Sequence, residues 1–151
     1  PAEVFQSVLA VSPEHPLDFY TRILAVDRFR KAPESRALAA ANKRVANLLS
    51  KNEEGIRNED CNEDLLKIGP EQSLYSTIQD KKVEVAPYYK DGDYTSALIS
   101  LSSLESLVDK FFESVLVMDE NITLRKNRLC LLRELRDLFL QTADISFLDH
   151  T

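Results

Sequence analysis

The clearest repeating pattern of apolar residues lies near the C-terminal end of the sequence. From Asn121 onward, apolar residues recur at the i, i+3, i+4, i+7 spacing that places them on one face of a helix: Leu124, Leu131, Leu135, Leu138 and Phe139. Successive residues of an α-helix are rotated by about 100° around its axis, so these apolar residues occupy one arc of the helix, which we call the apolar arc. Three arginines lie within it: Arg125, Arg128 and Arg136. Desolvating an unpaired cation is so costly that each arginine must have an anionic partner or reach a ligand.

Five further helices are predicted from periodic apolar positions and from the residues that interrupt them. They cover residues 2–11, 16–31, 33–50, 70–87 and 94–117. Pro16, Pro33 and Pro70 stand at the starts of three of these helices, where a missing backbone N–H costs nothing, and Pro87 is expected to bend or end the fourth. The three glycines each fall where a periodic segment ends, and no alternating run is long enough to predict a strand. The pattern predicts an all-α fold, a helical bundle of about six helices.

An acidic segment separates the third and fourth predicted helices. Residues 51–69 read KNEEGIRNEDCNEDLLKIG, polar and acidic with scattered leucine and isoleucine. We interpret this segment as a loop with at most a short helical turn. The chain length allows one domain or at most two. We therefore expect residues 1–151 to form a single all-helical domain with an acidic loop at 51–69.

Carboxylates on the fifth predicted helix are the expected partners of the internal arginines. Glu105, Asp109 and Glu113 follow one another at intervals of four residues along one edge of that helix. The short linker MDEN before the last helix favours an antiparallel hairpin, in which these carboxylates would meet the arginines. Asp144 is a further candidate partner, and it is also placed to cap the turn at residues 143–146.

Composition and chain ends narrow the class of protein. Hydrophobic residues make up 44% of the 151 residues, and no apolar run approaches the roughly 20 residues of a membrane span, so we expect a cytoplasmic protein. The chain begins at Pro1 without an initiator methionine, and a helical pattern starts at once, which favours a fragment of a longer polypeptide. Cys61, Cys130, His15 and His150 have no spacing typical of a zinc site, a disulfide scaffold or a catalytic base.

The net charge of −6 by itself counts against nucleic-acid binding. Its distribution is uneven: residues 51–93 hold six lysines and arginines against eleven acidic residues, whereas residues 1–50 hold seven against five. A basic face is therefore compatible with the overall acidity.

Three stretches of the sequence resemble one known family. They are PLDFYTRILAVDRFR, ALAAANKRVANLLSK and FFESVLVMDENITLRKNRLCLLRELRDLFLQTADISFL, which in this order resemble the C-terminal end of the beta subunit of bacterial-type glycyl-tRNA synthetase. The last stretch alone also resembles the anticodon-binding helical domain of arginyl-tRNA synthetase. The ANKRV element and the ADISFL ending favour the glycyl enzyme.

The resemblance implies a helical anticodon-binding domain whose partner is tRNA-Gly. It also implies that the sites for glycine, ATP and magnesium lie on a separate alpha subunit, with which the beta subunit forms a heterotetramer. The chain itself contains no phosphate-binding glycine loop, metal-ligand cluster or nucleophile motif, so we expect it to bind no cofactor and not to be catalytic alone. A helical protein-interaction module is the alternative that the acidic balance and the amphipathic helices leave open.

Candidate tRNA contacts come from the positions that match the family and carry suitable chemistry. They are Asn42, Lys43, Arg44, Arg125, Lys126, Asn127, Arg128 and Arg133. Lys126 and Arg133 are expected to contact phosphates. Lys43 is expected either to contact a phosphate or to be a solvated surface lysine, and Arg44 to form either an ion pair or an RNA contact. For Arg125 and Arg128 a structural ion pair is favoured over RNA contact, because carboxylates are available on the preceding helix. Three tyrosines near the breaks at Pro87 and Gly92 allow either base stacking or simple packing: Tyr88, Tyr89 and Tyr94.

Overall fold

The computed structural model describes residues 1–52 and 61–149. Seven α-helices and no strands are present in this part of the chain: α1 (Ala2–Leu9), α2 (Pro16–Phe29), α3 (Ser35–Lys51), α4 (Pro70–Lys90), α5 (Tyr94–Ser102), α6 (Glu105–Ser114) and α7 (Ile122–Leu140). Two short 3₁₀ turns follow α3 and α7, at Glu63–Leu65 and Ile145–Leu148. No helix in these ranges is both long and apolar enough to span a bilayer. The prediction of an all-α bundle is confirmed.

The segment predicted as one helix over 94–117 is in fact two helices, which raises the count from six to seven. The break lies in a serine-rich stretch, where side chains hydrogen-bond to the preceding turn. Ser102 Oγ donates to the Leu98 carbonyl at 2.8 Å and Ser103 Oγ to the Ser100 carbonyl at 2.9 Å. Such bonds compete with the regular helical ladder and bend helices. Leu104 accordingly bonds to the carbonyl three residues back, that of Leu101, at 3.0 Å.

Helix α4 runs through Pro87 and ends one turn later than the sequence suggested. Its end is set by Gly92, which has φ +71°, a left-handed conformation that glycine adopts without strain. The Gly92 and Asp93 amides donate back to the carbonyls of Tyr89 at 3.2 Å and Tyr88 at 2.8 Å. Proline therefore interrupts the hydrogen-bond ladder locally, but the glycine terminates the helix.

Helix α7 lies in the centre of the bundle and packs against α3, α4 and α5. Its apolar face is almost completely buried, as the periodicity predicted, and Leu131, Leu132 and Phe139 have no exposed surface. Helix α6 packs mainly against α4 and α3, so the predicted hairpin of α6 along α7 is not the main packing of either helix.

The two ends of the described chain are held together by polar contacts. The Asp144 amide donates to the Ser7 carbonyl of α1 at 2.9 Å. Arg22 of α2 donates to the carbonyls of Gln141 at 2.7 Å and Thr142 at 2.9 Å, which satisfies carbonyls that the end of α7 leaves without helical partners. The first two helices and the last turn therefore form one packed unit with the bundle.

The predicted acidic loop is described only in part, because residues 53–60 lie outside the described residues. Its described end, residues 61–69, contains the short 3₁₀ turn and is anchored by the burial of Cys61 and Leu66. Asn62 caps this turn by accepting the Asp64 amide at 3.0 Å. This end of the segment is fixed against the first half of α7 by contacts described below.

Candidate nucleic-acid interface

The arginine at the centre of the apolar arc, Arg128, is held inside the bundle by two carboxylates and a carbonyl. It is 4% exposed, and its Nε donates to Glu71 of α4. One Nη donates to the Leu116 carbonyl at 2.7 Å and to Asp119 at 3.3 Å. The second oxygen of Glu71 accepts the Lys67 amide at 2.7 Å. Arg128 therefore joins α7 to α4 and to the linker before α7.

Two asparagines among the predicted contacts are also buried. Asn127 accepts the Asn62 amide at 2.6 Å and donates to the Asn62 carbonyl at 3.0 Å, so its side chain clamps the end of the acidic segment to α7. Asn42 is 2% exposed and donates to the Leu38 carbonyl within α3 at 3.0 Å. Asn127 therefore holds two segments of the scaffold together, Asn42 bonds within its own helix, and neither presents its amide to the surface.

The predicted ion-pair partners of the internal arginines are partly wrong. Arg136 forms a bidentate pair with Asp144 at 3.0 and 2.8 Å, as expected. Glu105, Asp109 and Glu113 lie on α6, in the second half of the segment that the sequence predicted as one fifth helix. None of the ion pairs within residues 1–52 and 61–149 involves these carboxylates. The physical reason is that α6 turns away from α7 after the serine break and packs on α4 and α3.

Asp144 combines this ion pair with a capping role. Its carboxylate accepts the Ser146 amide at 3.1 Å and the Ser146 hydroxyl at 2.6 Å. Burial alone would raise the pKa of Asp144, but the hydrogen bonds from Arg136 and Ser146 outweigh it and hold the pKa below its ordinary value. The predicted cap of the turn after α7 is thus present, and it fixes the last turn to the helix.

A row of cations lies along the outer face of α3. The helix buries Leu38, Asn42 and Val45, and the opposite face carries the residues that we call the basic stripe: Arg36, Lys43, Arg44 and Lys51. With a rise of 1.5 Å per residue, the stripe extends over about 22 Å. Lys43 is the least free of the four, because its Nζ lies 3.9 Å from a carboxylate oxygen of Asp149. The stripe gives an acidic protein one locally basic surface.

Next to the basic stripe, α3 and the end of α6 enclose a groove. The Arg44 guanidinium carbon lies 4.3 Å from the centroid of the Phe112 ring, a cation–π contact. A cavity of about 380 Å³, which we call the Arg44 groove, is lined by Arg44, Leu48, Phe112, Glu113 and residues 114–118. A second shallow cavity, of about 370 Å³, shares Arg44 and Leu48 with it and is lined by Lys43 and Lys51 as well. A planar group with a phosphate beside it fits this combination.

The remaining predicted contacts lie at the start and the middle of α7. Lys126 is exposed. Arg125 is half-buried and donates to the Asp119 carbonyl at 3.4 Å, in the same linker whose residues 114–118 line the Arg44 groove. Arg133 is half-buried further along the helix. Partial desolvation raises the pKa of Asp137, and the charge of Arg133 opposes that rise.

The three tyrosines near the former breaks are packing residues. Tyr89 donates its hydroxyl hydrogen to the Leu138 carbonyl at 2.8 Å, and burial raises its pKa to about 12. Tyr94 is 6% exposed, donates to Asp18 and lies under the Arg22 guanidinium. Tyr88 packs against the core. The sequence allowed either base stacking or simple packing for these three rings, and the contacts show packing.

Some surface residues of this region did not stand out in the sequence. Lys51 lies seven residues after Arg44 and so shares its helical phase, which means that the periodicity of α3 could have identified it. Phe112 looked like an ordinary core residue, and Glu113 looked like an ion-pair partner. Only the packing of α6 on α3 brings both beside Arg44. In the described ranges, no group of three or more His, Cys, Asp and Glu side chains could hold a metal ion.

Comparison with known proteins shows the family to which the chain belongs. The model of the DALR anticodon binding domain family matches residues 38–145, which includes Lys43, Arg44 and Lys51 of the basic stripe and extends to the turn after α7. The chain is 46% identical over 97% of its length to the glycine–tRNA ligase beta subunit of Marinobacter nauticus. The proteins of the same name from Photorhabdus laumondii and Hahella chejuensis are 48% and 44% identical over 97% and 99% of the chain. It spans about a fifth of their length, 21%, 21% and 22% respectively. Because the family match covers well over half of the chain, this protein belongs to the DALR anticodon binding domain family.

Proposed function

We propose that this chain binds the anticodon arm of tRNA-Gly as part of a glycyl-tRNA ligase. The observation that carries the proposal is the basic stripe of α3, which continues into the Arg44 groove within the region that matches the family. The names of the three relatives favour the glycine enzyme over the arginine enzyme that the α6–α7 region also resembles.

The predicted contacts then divide into two groups by their burial. Lys43, Arg44 and Lys126 are accessible and contact the RNA directly. Arg125 and Arg133 are half-buried and contribute charge at the edge of the surface. The other three, Asn42, Asn127 and Arg128, are buried and act indirectly. Asn127 and Arg128 hold α7 to the end of the acidic segment, to α4 and to the linker.

Phosphate contacts account for the basic stripe. Lysine and arginine on a rigid helix can follow an RNA backbone without reading its sequence, and bases are then read by hydrogen bonds and stacking in nearby pockets. Each phosphate contact releases counterions, so the affinity falls as salt rises. We expect the stripe to supply affinity and the Arg44 groove to supply base recognition.

The rest of the reaction lies outside this chain in our proposal. The chain covers about a fifth of its relatives, which are named as beta subunits. Glycine, ATP and magnesium would then be bound by a separate alpha subunit in a heterotetramer in the cytoplasm. This chain would contribute to aminoacylation by holding the far end of the tRNA.

Charge reversal at the accessible lysines tests the proposal. The affinities of wild type, Lys43→Glu, Lys126→Glu and the double variant are measured for tRNA-Gly and for a transcript with changed anticodon cytosines, at low and at moderate salt. Each substitution should weaken tRNA-Gly binding and reduce the salt slope, by roughly 0.7 to 0.9 for each phosphate that the protein no longer neutralises. Lys90→Glu is the matched control, because Lys90 is an exposed lysine at the end of α4 and lines neither of the two cavities.

Two outcomes contradict the proposal. Equal affinity of wild type for the two transcripts removes anticodon recognition from the account. Unchanged tRNA affinity in the Lys43→Glu/Lys126→Glu variant, with an unchanged melting temperature, removes the surface itself and favours a protein-interaction module. In the full enzyme, the same double variant should lower the aminoacylation rate at limiting tRNA.

A further inference from the structure

Two opposite charges line the Arg44 groove without pairing with each other. Arg44 and Glu113 are both exposed and both line the cavity. Yet none of the salt bridges between residues of the described ranges involves either side chain. Arg44 instead contacts the Phe112 ring, with its guanidinium carbon 4.3 Å from the ring centroid. The groove therefore offers a planar donor on one side and a carboxylate acceptor on the other.

The end of α6 adds further acceptors to the carboxylate side. Helix α6 ends at Ser114, and Val115 is extended, with φ −115° and ψ 125°. The last carbonyls of a helix have no partners within the helix, and the helix dipole makes this end negative. The Val115 amide bonds to the Phe111 carbonyl at 2.8 Å, which leaves the carbonyls of the last turn to accept hydrogen bonds from a ligand beside Glu113.

Apolar side chains form the remaining walls of the groove. Leu116 and Met118 both line it, and they are 67% and 40% exposed, so their side chains are accessible to a ligand in the groove. A volume of about 380 Å³ lies at the lower end of the range for small-ligand sites. The groove thus suits one flat, partly apolar group with a donor edge and an acceptor edge.

We infer that the Arg44 groove holds a single unpaired cytosine base, with Glu113 accepting from its exocyclic amino group and Arg44 donating to its ring acceptors. Carboxylates are the side chains that accept from cytosine N4, and arginine donates to base acceptors. Leu116 or Met118 then packs on the face of the base, while the Phe112 ring supports the Arg44 guanidinium at the edge of the base.

Uracil presents the opposite polarity on the same edge. Its O4 is an acceptor where cytosine has the amino group, and its N3 carries a hydrogen where cytosine has a lone pair. In the groove, O4 would face the Glu113 carboxylate and N3–H would face the Arg44 guanidinium. Both contacts are repulsive, so the groove selects against uracil by charge as well as by the absence of hydrogen bonds.

This assignment rests on the proposed function, within which the base is one of the two cytosines that end every glycine anticodon. Lys43 and Lys51 of the basic stripe line the cavity that shares Arg44 with the groove. A phosphate next to the bound base would meet Lys43 or Lys51. One groove holds one base, so the assignment predicts control of a single anticodon position.

Short anticodon stem-loop RNAs that differ by one base test the assignment. One carries both cytosines, and in two others either the first or the second cytosine is replaced by uracil. Wild-type protein should prefer the all-cytosine loop. Glu113→Gln should reduce the cytosine preference at one of the two positions by roughly tenfold, because an amide also donates to O4 of uracil. The preference at the other position should not change.

A neighbouring carboxylate provides the matched control. Asp109 is exposed one turn earlier on α6 and does not line the groove, so Asp109→Asn makes the same chemical change and should keep both preferences. Arg44→Lys keeps the charge but loses the planar guanidinium. It should therefore weaken binding of the all-cytosine loop more than binding of the loop with uracil at the position that the groove reads. Unchanged melting temperatures show that each variant is folded.

The outcomes separate this inference from the proposed function. If wild type discriminates between the loops and Glu113→Gln keeps the full preference at both positions, the cytosine assignment is wrong while anticodon binding stands. If wild type binds all loops equally, or binds none of them, the proposed function is overturned and the assignment falls with it. If Asp109→Asn reduces a preference as much as Glu113→Gln does, a general effect of charge replaces the specific contact.

Discussion

Truncating Arg128 to alanine removes the cation of the buried network between α7, α4 and the linker. The Glu71 carboxylate would remain, with a side chain only 3% exposed and the Lys67 amide as its remaining bonded donor. Removing one partner of a buried ion pair costs about 3–5 kcal/mol, because the other charge is left without compensation. The Leu116 carbonyl also loses its donor. We therefore expect Arg128→Ala to lower the free energy of unfolding by about 4 kcal/mol.

A double-mutant cycle separates the charge from the packing. The cycle consists of Glu71→Leu, Arg128→Met and the double variant Glu71→Leu/Arg128→Met. The double variant removes the buried charge but still leaves the Leu116 carbonyl and the Lys67 amide unsatisfied. The double variant should cost about 2 kcal/mol, much less than the sum of the two single variants. The measurement is urea unfolding followed by far-ultraviolet circular dichroism. For a chain of this size, the Arg128→Ala change corresponds to a fall in melting temperature of roughly 10 °C.

An exposed arginine gives the reference for this experiment. Arg36 is exposed on α3, and Arg36→Ala should change stability by less than about 0.5 kcal/mol. A loss below about 1 kcal/mol for Arg128→Ala, or single variants whose costs simply add in the double variant, would refute the buried network.

Three further predictions concern other contacts of the scaffold. Asn127→Ala should cost about 2 kcal/mol and speed amide exchange at Asn62; unchanged exchange would contradict the clamp. Because the folded pKa of Asp144 lies below the ordinary 3.8, its stabilisation is present above that pH and is lost as the pH falls through the folded pKa. Arg136→Met should therefore flatten the acid limb of the curve of unfolding free energy against pH, and an acid limb as steep as that of wild type would argue against the pair. Cys61 and Cys130 are both buried, and burial raises the pKa of Cys61 to about 12. Neither cysteine should therefore react with a water-soluble disulfide reagent until urea unfolds the protein, and rapid labelling of the native protein would show the burial to be wrong.

Part of the candidate surface could be predicted from the sequence of α3 alone. The burial of Leu38 and Val45 fixes the helix phase, and that phase places Lys43 outward. The same reasoning could not reveal the Arg44 groove, because Phe112 lies far along the chain and reaches Arg44 only through the packing of α6 on α3. A residue such as Glu113 changes from ion-pair candidate to groove residue without any change in its local sequence.

The sequence by itself determined where the helices lie, and it showed that Arg128 needs a partner because it lies on the apolar face of α7. Helical periodicity is a local property, so apolar spacing located the core face of α7 and showed that an arginine lay within it. Only the tertiary structure decided that its partners are Glu71 and Asp119 rather than the acidic edge of α6. The physical reason is that pairing depends on how rigid helices pack. A serine-rich break at residues 102–104 was enough to redirect α6, which left Glu113 beside Arg44 and in no ion pair among the described residues.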